Sequence, residues 1–367
     1  MRYRINPFRS PEVVPRPDAG PIRRFHASLP GYQPTPLHVL PGLARGLGVG
    51  RIYLKDESPR FGLQAFKALG ASWAMHRLQR EGRLGATVSS ATDGNHGRAV
   101  AWAAHRLDVQ AKIFMTAHSS PRRMAAIREE GAEVFLVEGT YDDAVRACAA
   151  RSATEGWQVV ADVGYEGYLT IPAWITEGYG TLFGEVDEQL LERALPEPDV
   201  VIIQAGVGGL AAAVVQHYSA RAVQPAVAVV EPVDADPLLE SALTPDARPA
   251  PSRGGQHSIM ACLNCGEVSL TAWPVLRQGV DVFFSIEDRY AEEAMRRLAM
   301  PPGGDPRVVA GESGAAGPGG LIALMTDDRL AGARQALGLG PGTTVLVVST
   351  EGAVDPEAFA RIVGRNP

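Results

Sequence analysis

Apolar positions along this chain fall into two alternating patterns. Runs at 86–90 (ATVSS), 110–115 (QAKIFM), 133–138 (EVFLVE) and 157–161 (WQVVA) predict strands, since β-branched and apolar residues bounded by turn residues suit a buried sheet. Helical spacing fills the gaps, as at 121–130, stopped by Gly131, and at 141–155. Repeated strand–helix units predict a parallel sheet with helices on its faces. A short strand at 51–55 precedes this series, and a long helical stretch at 172–193 leads to a second one: 199–204, 226–231, 280–285 and 343–349. The expected fold is α/β, with two open twisted α/β domains. The larger takes residues 1–70 and 185–367, and the smaller, 71–184, is inserted within it. Residues 1–34, rich in Pro and Arg, read as an irregular arm, and 244–256 as a surface loop.

The stretch 60–74, between the two series, is the first to suggest chemistry. Read as a helix, it places Phe66, Leu69 and Trp73 on one core-facing side. Lys67 falls off that stripe, among Leu63, Gly70, Ala71 and Ala74. Desolvation there is expected to lower its pKa and make its amine a better nucleophile. A lysine can also lay its stem on apolar surface and keep its head in water, and taken alone that is the commoner arrangement.

Composition narrows the classes. A chain of 367 residues has room for one large or two moderate domains, and its net charge of −6 gives no reason to expect nucleic acid or an anionic membrane as partner. No apolar run has the length of a membrane span, and the N-terminus lacks the apolar core of a signal peptide, so a cytoplasmic location is expected. Three cysteines do not make a disulfide framework, and Cys262 and Cys265 form a lone C-x-x-C; no zinc or other metal site is expected.

Three further stretches carry candidate groups. In 199–211 a buried-looking strand runs into Gly206, Val207, Gly208, Gly209 and Leu210, then an apolar helix. Bare amides at a helix start bind phosphate. The spelling from Gly206 to Ala211, with Glu231 ending the next strand, also fits a dinucleotide fingerprint and so a nicotinamide or flavin enzyme. In 89–97 the turn holds Thr92, Asp93 and Asn95: amides for a carboxylate, a donor for an oxygen anion and a candidate base, or else simply a helix cap. Glu312 lies in the loop GESGAAG, and Ser349 and Thr350 lie where a parallel strand ends, the edge at which open α/β sheets bind ligands.

In this order the segments KDESPRFGLQAFKALG, SSATDGNHGRAVAWAA, ADVGYEGYLTIPAWITEGY, QAGVGGL, SIMACLNCGE, GESGAAG and VVSTEG resemble the fold type II enzymes dependent on pyridoxal 5′-phosphate (PLP), the group of threonine and serine dehydratases, cysteine synthases and the tryptophan synthase β-chain. Within that group the combination is similar to the diaminopropionate ammonia-lyase family, from about residue 25 to the C-terminus.

The resemblance implies Lys67 as the Schiff-base lysine, with Phe66 beside it. It implies Asn95 on the cofactor's phenolic oxygen, Gly206–Leu210 as the phosphate cup, Ser349 with Thr350 at the pyridine nitrogen, and Glu312 near the cofactor. Asp93 stands where dehydratases carry Ser and matches a base for the D-isomer, and Asp162 matches a second active-site acid. Thr92, Asp93, Asp162 and Tyr165 are expected at the substrate. Tyr165 replaces a Trp usual in the family, alanines replace a second Gly-rich helix start, and the segment from Lys67 to Asp93 is shorter. The implied activity is β-elimination from D- and L-2,3-diaminopropionate to pyruvate and ammonia by a homodimer acting on a small amino acid. The alternatives are a serine/threonine-type dehydratase or another β-substituted amino-acid lyase on the same fold and, more distantly, a nicotinamide oxidoreductase. A non-catalytic amino-acid- or PLP-binding protein is opposed by Lys67, Asp93 and Asp162 together.

Overall fold

The computed structural model describes residues 1–10, 14, 16–92 and 94–367. Its strands are β1 Tyr3–Ile5, β2 Leu37–Val39, β3 Arg51–Asp56, β4 Thr87–Ala91, β5 Gln110–Thr116, β6 Glu133–Val137, β7 Gln158–Val159, β8 Val200–Gln204, β9 Ala226–Pro232, β10 Val282–Ile286 and β11 Thr344–Ser349. They form a seven-stranded sheet in the order β1-β10-β9-β8-β11-β3-β2 and a four-stranded sheet in the order β6-β5-β4-β7. The smaller sheet is parallel throughout; in the larger one only the edge strands β1 and β2 run antiparallel.

The central strands read as unbroken apolar runs because both faces of the large sheet are covered. Strand alternation divides each run between two cores. Val201, Ile203, Leu346 and Val348 enter one, with the helices Ala68–Arg80 and Thr170–Glu192. Val200, Ile202, Val345 and Val347 enter the other, with the helix Ala316–Thr326.

Two expectations are corrected. The N-terminal segment is not simply an irregular arm: Tyr3–Ile5 pairs with Val282–Phe284, and Ala19–Ser28 is a helix capped by the Asp18 side chain. The stretch 60–74 is not one helix. Arg60–Gly62 is a single 3₁₀ turn, Ala65 forms a bridge to Glu351, and the α-helix begins at Ala68, directly after Lys67. Leu63 therefore shares no helical face with Lys67.

A buried ionic cluster holds that turn. Glu185, on the Thr170–Glu192 helix, accepts from Arg60 Nη1 and Nη2 at 2.8 Å and from Lys55 Nζ at 2.7 Å, while Glu57 accepts from Arg60 Nε at 2.8 Å. Removing one partner from such a cluster costs about 3–5 kcal/mol, because the other charge stays buried. The same helix crosses Ala68–Arg80 where Gly70 meets Gly178. A methyl on Gly70 would stand 2.5 Å from Tyr179, and one on Gly178 2.5 Å from the Leu69 carbonyl. This close crossing seats Lys67 against Tyr179.

Candidate active site

The carboxyl ends of β8 and β11 in the large sheet and of β4 in the small one face a common cavity, as open parallel sheets direct their ligand sites. Phe66 and Lys67 form part of its wall, with Thr92, Asn95, Asp162 and the backbone from Gly206 to Leu210.

Lys67 Nζ donates to Asp162 Oδ2 at 2.5 Å, and lies 5.2 Å from the centre of the Phe66 ring. Burial, the largest single influence, would lower the ammonium, as expected from sequence, but the Asp162 charge and hydrogen bond, with Tyr179 and Cys262, together outweigh it and raise the pKa of Lys67. Lys67 is thus a held ammonium and not a depressed amine. Burial likewise opposes ionisation of Asp162, yet His96 and Lys67 bring it down to about 2. His96 Nε2 donates to the Val160 carbonyl at 2.9 Å, which leaves Nδ1 turned toward Asp162, 3.8 Å away.

The same cavity is lined by the N-terminus of the helix Gly209–Tyr218, which has no side-chain cap. Gly208 precedes it at φ 102°, a left-handed value that favours glycine. The first-turn amides therefore have no carbonyl inside the helix and face the cavity with the positive end of the dipole.

The other expected residues divide. Thr92 Oγ1 accepts from Gly94 N at 2.9 Å and Gly97 N at 3.0 Å, so it caps the helix Asn95–Arg106 while standing on the cavity wall. Thr350 is on the wall, with its hydroxyl 3.0 Å from Gln204 Nε2; Ser349 is fully buried behind it. Glu312 lies at a neighbouring outer cavity with Arg123. Tyr165 stacks on Tyr168 at 4.9 Å and faces a separate cleft beside Arg146 and Pro249. Asp93 lies outside the described residues.

Among residues not expected at the site, Glu351, Ser313, Cys262 and Cys265 also line the wall. Glu351 directly follows Ser349 and Thr350, and its place at the end of an apolar strand was the available signal. Cys262 and Cys265, set aside because their spacing makes no zinc site, belong to the cavity instead. Glu231 is corrected as a ribose ligand: its carboxylate accepts from Leu238 N and Leu239 N, both at 2.8 Å, and so caps the next helix. That removes the acid a dinucleotide site requires.

The donor set suits one group: an amine for a carbonyl, bare helix-start amides for a phosphate, and amide and hydroxyl donors between them for a polar ring. Such a set defines an enzyme that works through PLP, and the chain matches the family described as pyridoxal-phosphate dependent enzyme over residues 29–351. It is 40% identical to the diaminopropionate ammonia-lyase of Salmonella typhimurium, with 93% of this chain and 91% of that protein aligned. A crystal structure of the Escherichia coli diaminopropionate ammonia-lyase in complex with an aminoacrylate–PLP azomethine reaction intermediate superposes with TM-score 0.90 at 37% identity, covering 98% of this chain and 96% of that one. The same E. coli enzyme in complex with D-serine superposes with TM-score 0.90 at 38% identity and the same coverage. The chain belongs to the PLP-dependent enzymes and, among them, to the diaminopropionate ammonia-lyase family.

Proposed function

We propose that this protein eliminates the β-amino group from 2,3-diaminopropionate, in both enantiomers, to give pyruvate and ammonia. One diaminopropionate and one water yield one pyruvate and two ammonia. The observation that carries the reading is Lys67 paired with Asp162 in the same cavity as the uncapped helix start at Gly209.

When bound, PLP supplies an electrophilic carbonyl for the substrate's amine and a ring that withdraws electrons from the α-carbon. In this reading Lys67 holds the cofactor through its amine, and the amides of Gly206–Leu210 hold the phosphate. Asn95 and Thr350 orient the ring at its polar edges. Asp162 holds the Lys67 amine in place through a 2.5 Å contact, and its ionised carboxylate stabilises a proton that this amine takes up. A substrate α-carboxylate can be met by amides of the turn after Thr92. Asp93 is proposed as the base for the D-isomer. Asp93→Asn should then cost roughly 10²–10⁴-fold on D-diaminopropionate and less on the L-isomer; equal losses on both would remove it from the mechanism.

We also infer a homodimer working in the cytoplasm and a small unit, 71–184, inserted in a larger one. The four-stranded sheet built wholly between residues 87 and 159 supports the second inference. No helix among the described residues is long and apolar enough to cross a membrane.

The test is a spectrum and an assay. Purified protein should carry a yellow chromophore that borohydride fixes on Lys67, and Lys67→Ala should lose both that adduct and turnover. Pyruvate should form from both isomers of diaminopropionate faster than from L-serine. Faster release from serine would move the reading to a dehydratase, and colourless protein that takes up no PLP would end it.

A further inference from the structure

Glu351 is 1% exposed and stands at the end of β11, where large-sheet residues meet the turn after β4. Its Oε1 accepts from the Ser313 backbone N–H at 3.2 Å and lies 3.6 Å from Arg123 Nη2. Its Oε2 accepts from Asn95 Nδ2 and, at 3.5 Å, from the Cys262 thiol. Arg123, itself 5% exposed, donates from Nη1 to Cys262 Sγ at 2.7 Å.

A carboxylate has acceptors and no donors, so the end of the Asn95 carboxamide that faces it must be the NH₂. One of its two N–H bonds is taken by Glu351. The other meets Cys262 Sγ, 3.4 Å away, a weak acceptor that an oxygen entering the cavity would displace. Without the carboxylate, the carboxamide could turn over and present its oxygen. Two oxygens repelling each other is the opposite of what an anionic phenolic oxygen requires.

We propose that Glu351 is a positioning residue acting through Asn95: it fixes which end of the carboxamide faces bound PLP. Arg123 offsets the buried negative charge and ties the pair to the helix Pro121–Glu129. The inference rests on the PLP reading above and on Asn95 as donor to the cofactor.

Glu351→Gln keeps the volume and removes one acceptor. Ser313 N–H and the Asn95 NH₂ are both donors, so a single amide oxygen cannot serve both. PLP should bind the cofactor-free E351Q protein roughly ten- to a hundredfold more weakly, the range for a hydrogen bond to a charged group. Glu351→Asp, which retains two acceptor oxygens, should recover part of that loss. The decisive measurement is the cycle with Asn95→Ala, titrating PLP by absorbance. In the N95A background E351Q should cost less than about threefold, because there is no carboxamide left to orient. The same factor in both backgrounds, or wild-type affinity in E351Q, overturns the proposal. If E351Q does not fold, E351D gives the same cycle. Wild-type protein that takes up no PLP overturns both this inference and the cofactor reading, whereas a loss confined to E351Q and N95A leaves the cofactor reading standing.

Discussion

Lys67 Nζ and Asp162 Oδ2 lie 2.5 Å apart, although they are 95 residues apart in sequence. Lys67 directly precedes a helix that the Thr170–Glu192 helix crosses at a glycine pair, and Asp162 follows β7 of the small sheet. The pair therefore couples a charged amine to the approach of two packed layers. It also bears on the protonation state: burial favours the neutral amine, and the Asp162 charge favours the ammonium.

Asp162→Asn tests that coupling. With the charge gone, burial acts on Lys67 with less opposition and its pKa should fall. Modification of Lys67 by an amine-selective reagent should then reach half-rate at lower pH than in the cofactor-free wild type. The stability signs follow. Asp162, depressed to about 2, contributes above the unfolded carboxylate value near ~3.9 and loses its contribution as pH falls through about 2. Lys67, raised, contributes below its unfolded value near ~10.4, and the contribution is lost at higher pH. D162N should cost up to about 3–5 kcal/mol at pH 7 by thermal melts, less to the extent that Lys67 deprotonates. An unchanged modification profile would show that Asp162 does not control the amine.

What could be read in advance was local or repetitive. β8 and β11 are legible as VVIIQ and TVLVVS because burial on both faces demands unbroken apolar runs. The glycine turn before Leu210 is legible because a bare helix start has few other uses. The 3₁₀ turn at Arg60–Gly62 is not, since its geometry depends on Glu185, 125 residues away, and on the bridge from Ala65 to Glu351. Nor is β1, three residues whose partner Phe284 lies 281 positions on. The direction of the Lys67 shift was reversed for the same reason: neighbours in sequence predict desolvation, whereas the deciding charge arrives through the fold.

The phosphate cup is best tested at Gly209. At Gly208, a Cβ would stand 2.7 Å from Leu276 Cδ1 on a backbone with φ 102°, so a substitution there strains the fold as well as the site. Gly209 has room, with Thr176 Oγ1 3.5 Å from a Cβ. Gly209→Asp places a negative charge in the first helical turn, which favours the helix itself by about 0.3–1 kcal/mol. The same charge competes with a phosphate for those amides. Thermal stability of the cofactor-free protein should stay level or rise, while PLP affinity falls by roughly tenfold or more. A fall in both would mean that the substitution damages the fold, and PLP affinity that survives it would place the phosphate elsewhere.

Glu312 provides the last test, through pH. Burial and then the neighbouring Glu351 charge raise its carboxyl to about 7, against an unfolded value near ~4.3. The folded protein therefore binds this proton more tightly than the unfolded chain does. Between about pH 4 and 7 the native state holds more protons, and stability must decline as pH rises through that window. Below it Glu312 carries no penalty, and above it the penalty is complete, of order 3–4 kcal/mol at most for a shift of this size. Glu312→Gln removes the titration while keeping the shape. Melting temperatures of the cofactor-free protein should nearly agree for wild type and E312Q at pH 4 and separate by pH 8, with E312Q the more stable by a few degrees. Parallel curves from pH 4 to 8 would show that a neighbouring cation holds Glu312 ionised, the Arg123 guanidinium of the same cavity being one that already favours its charge.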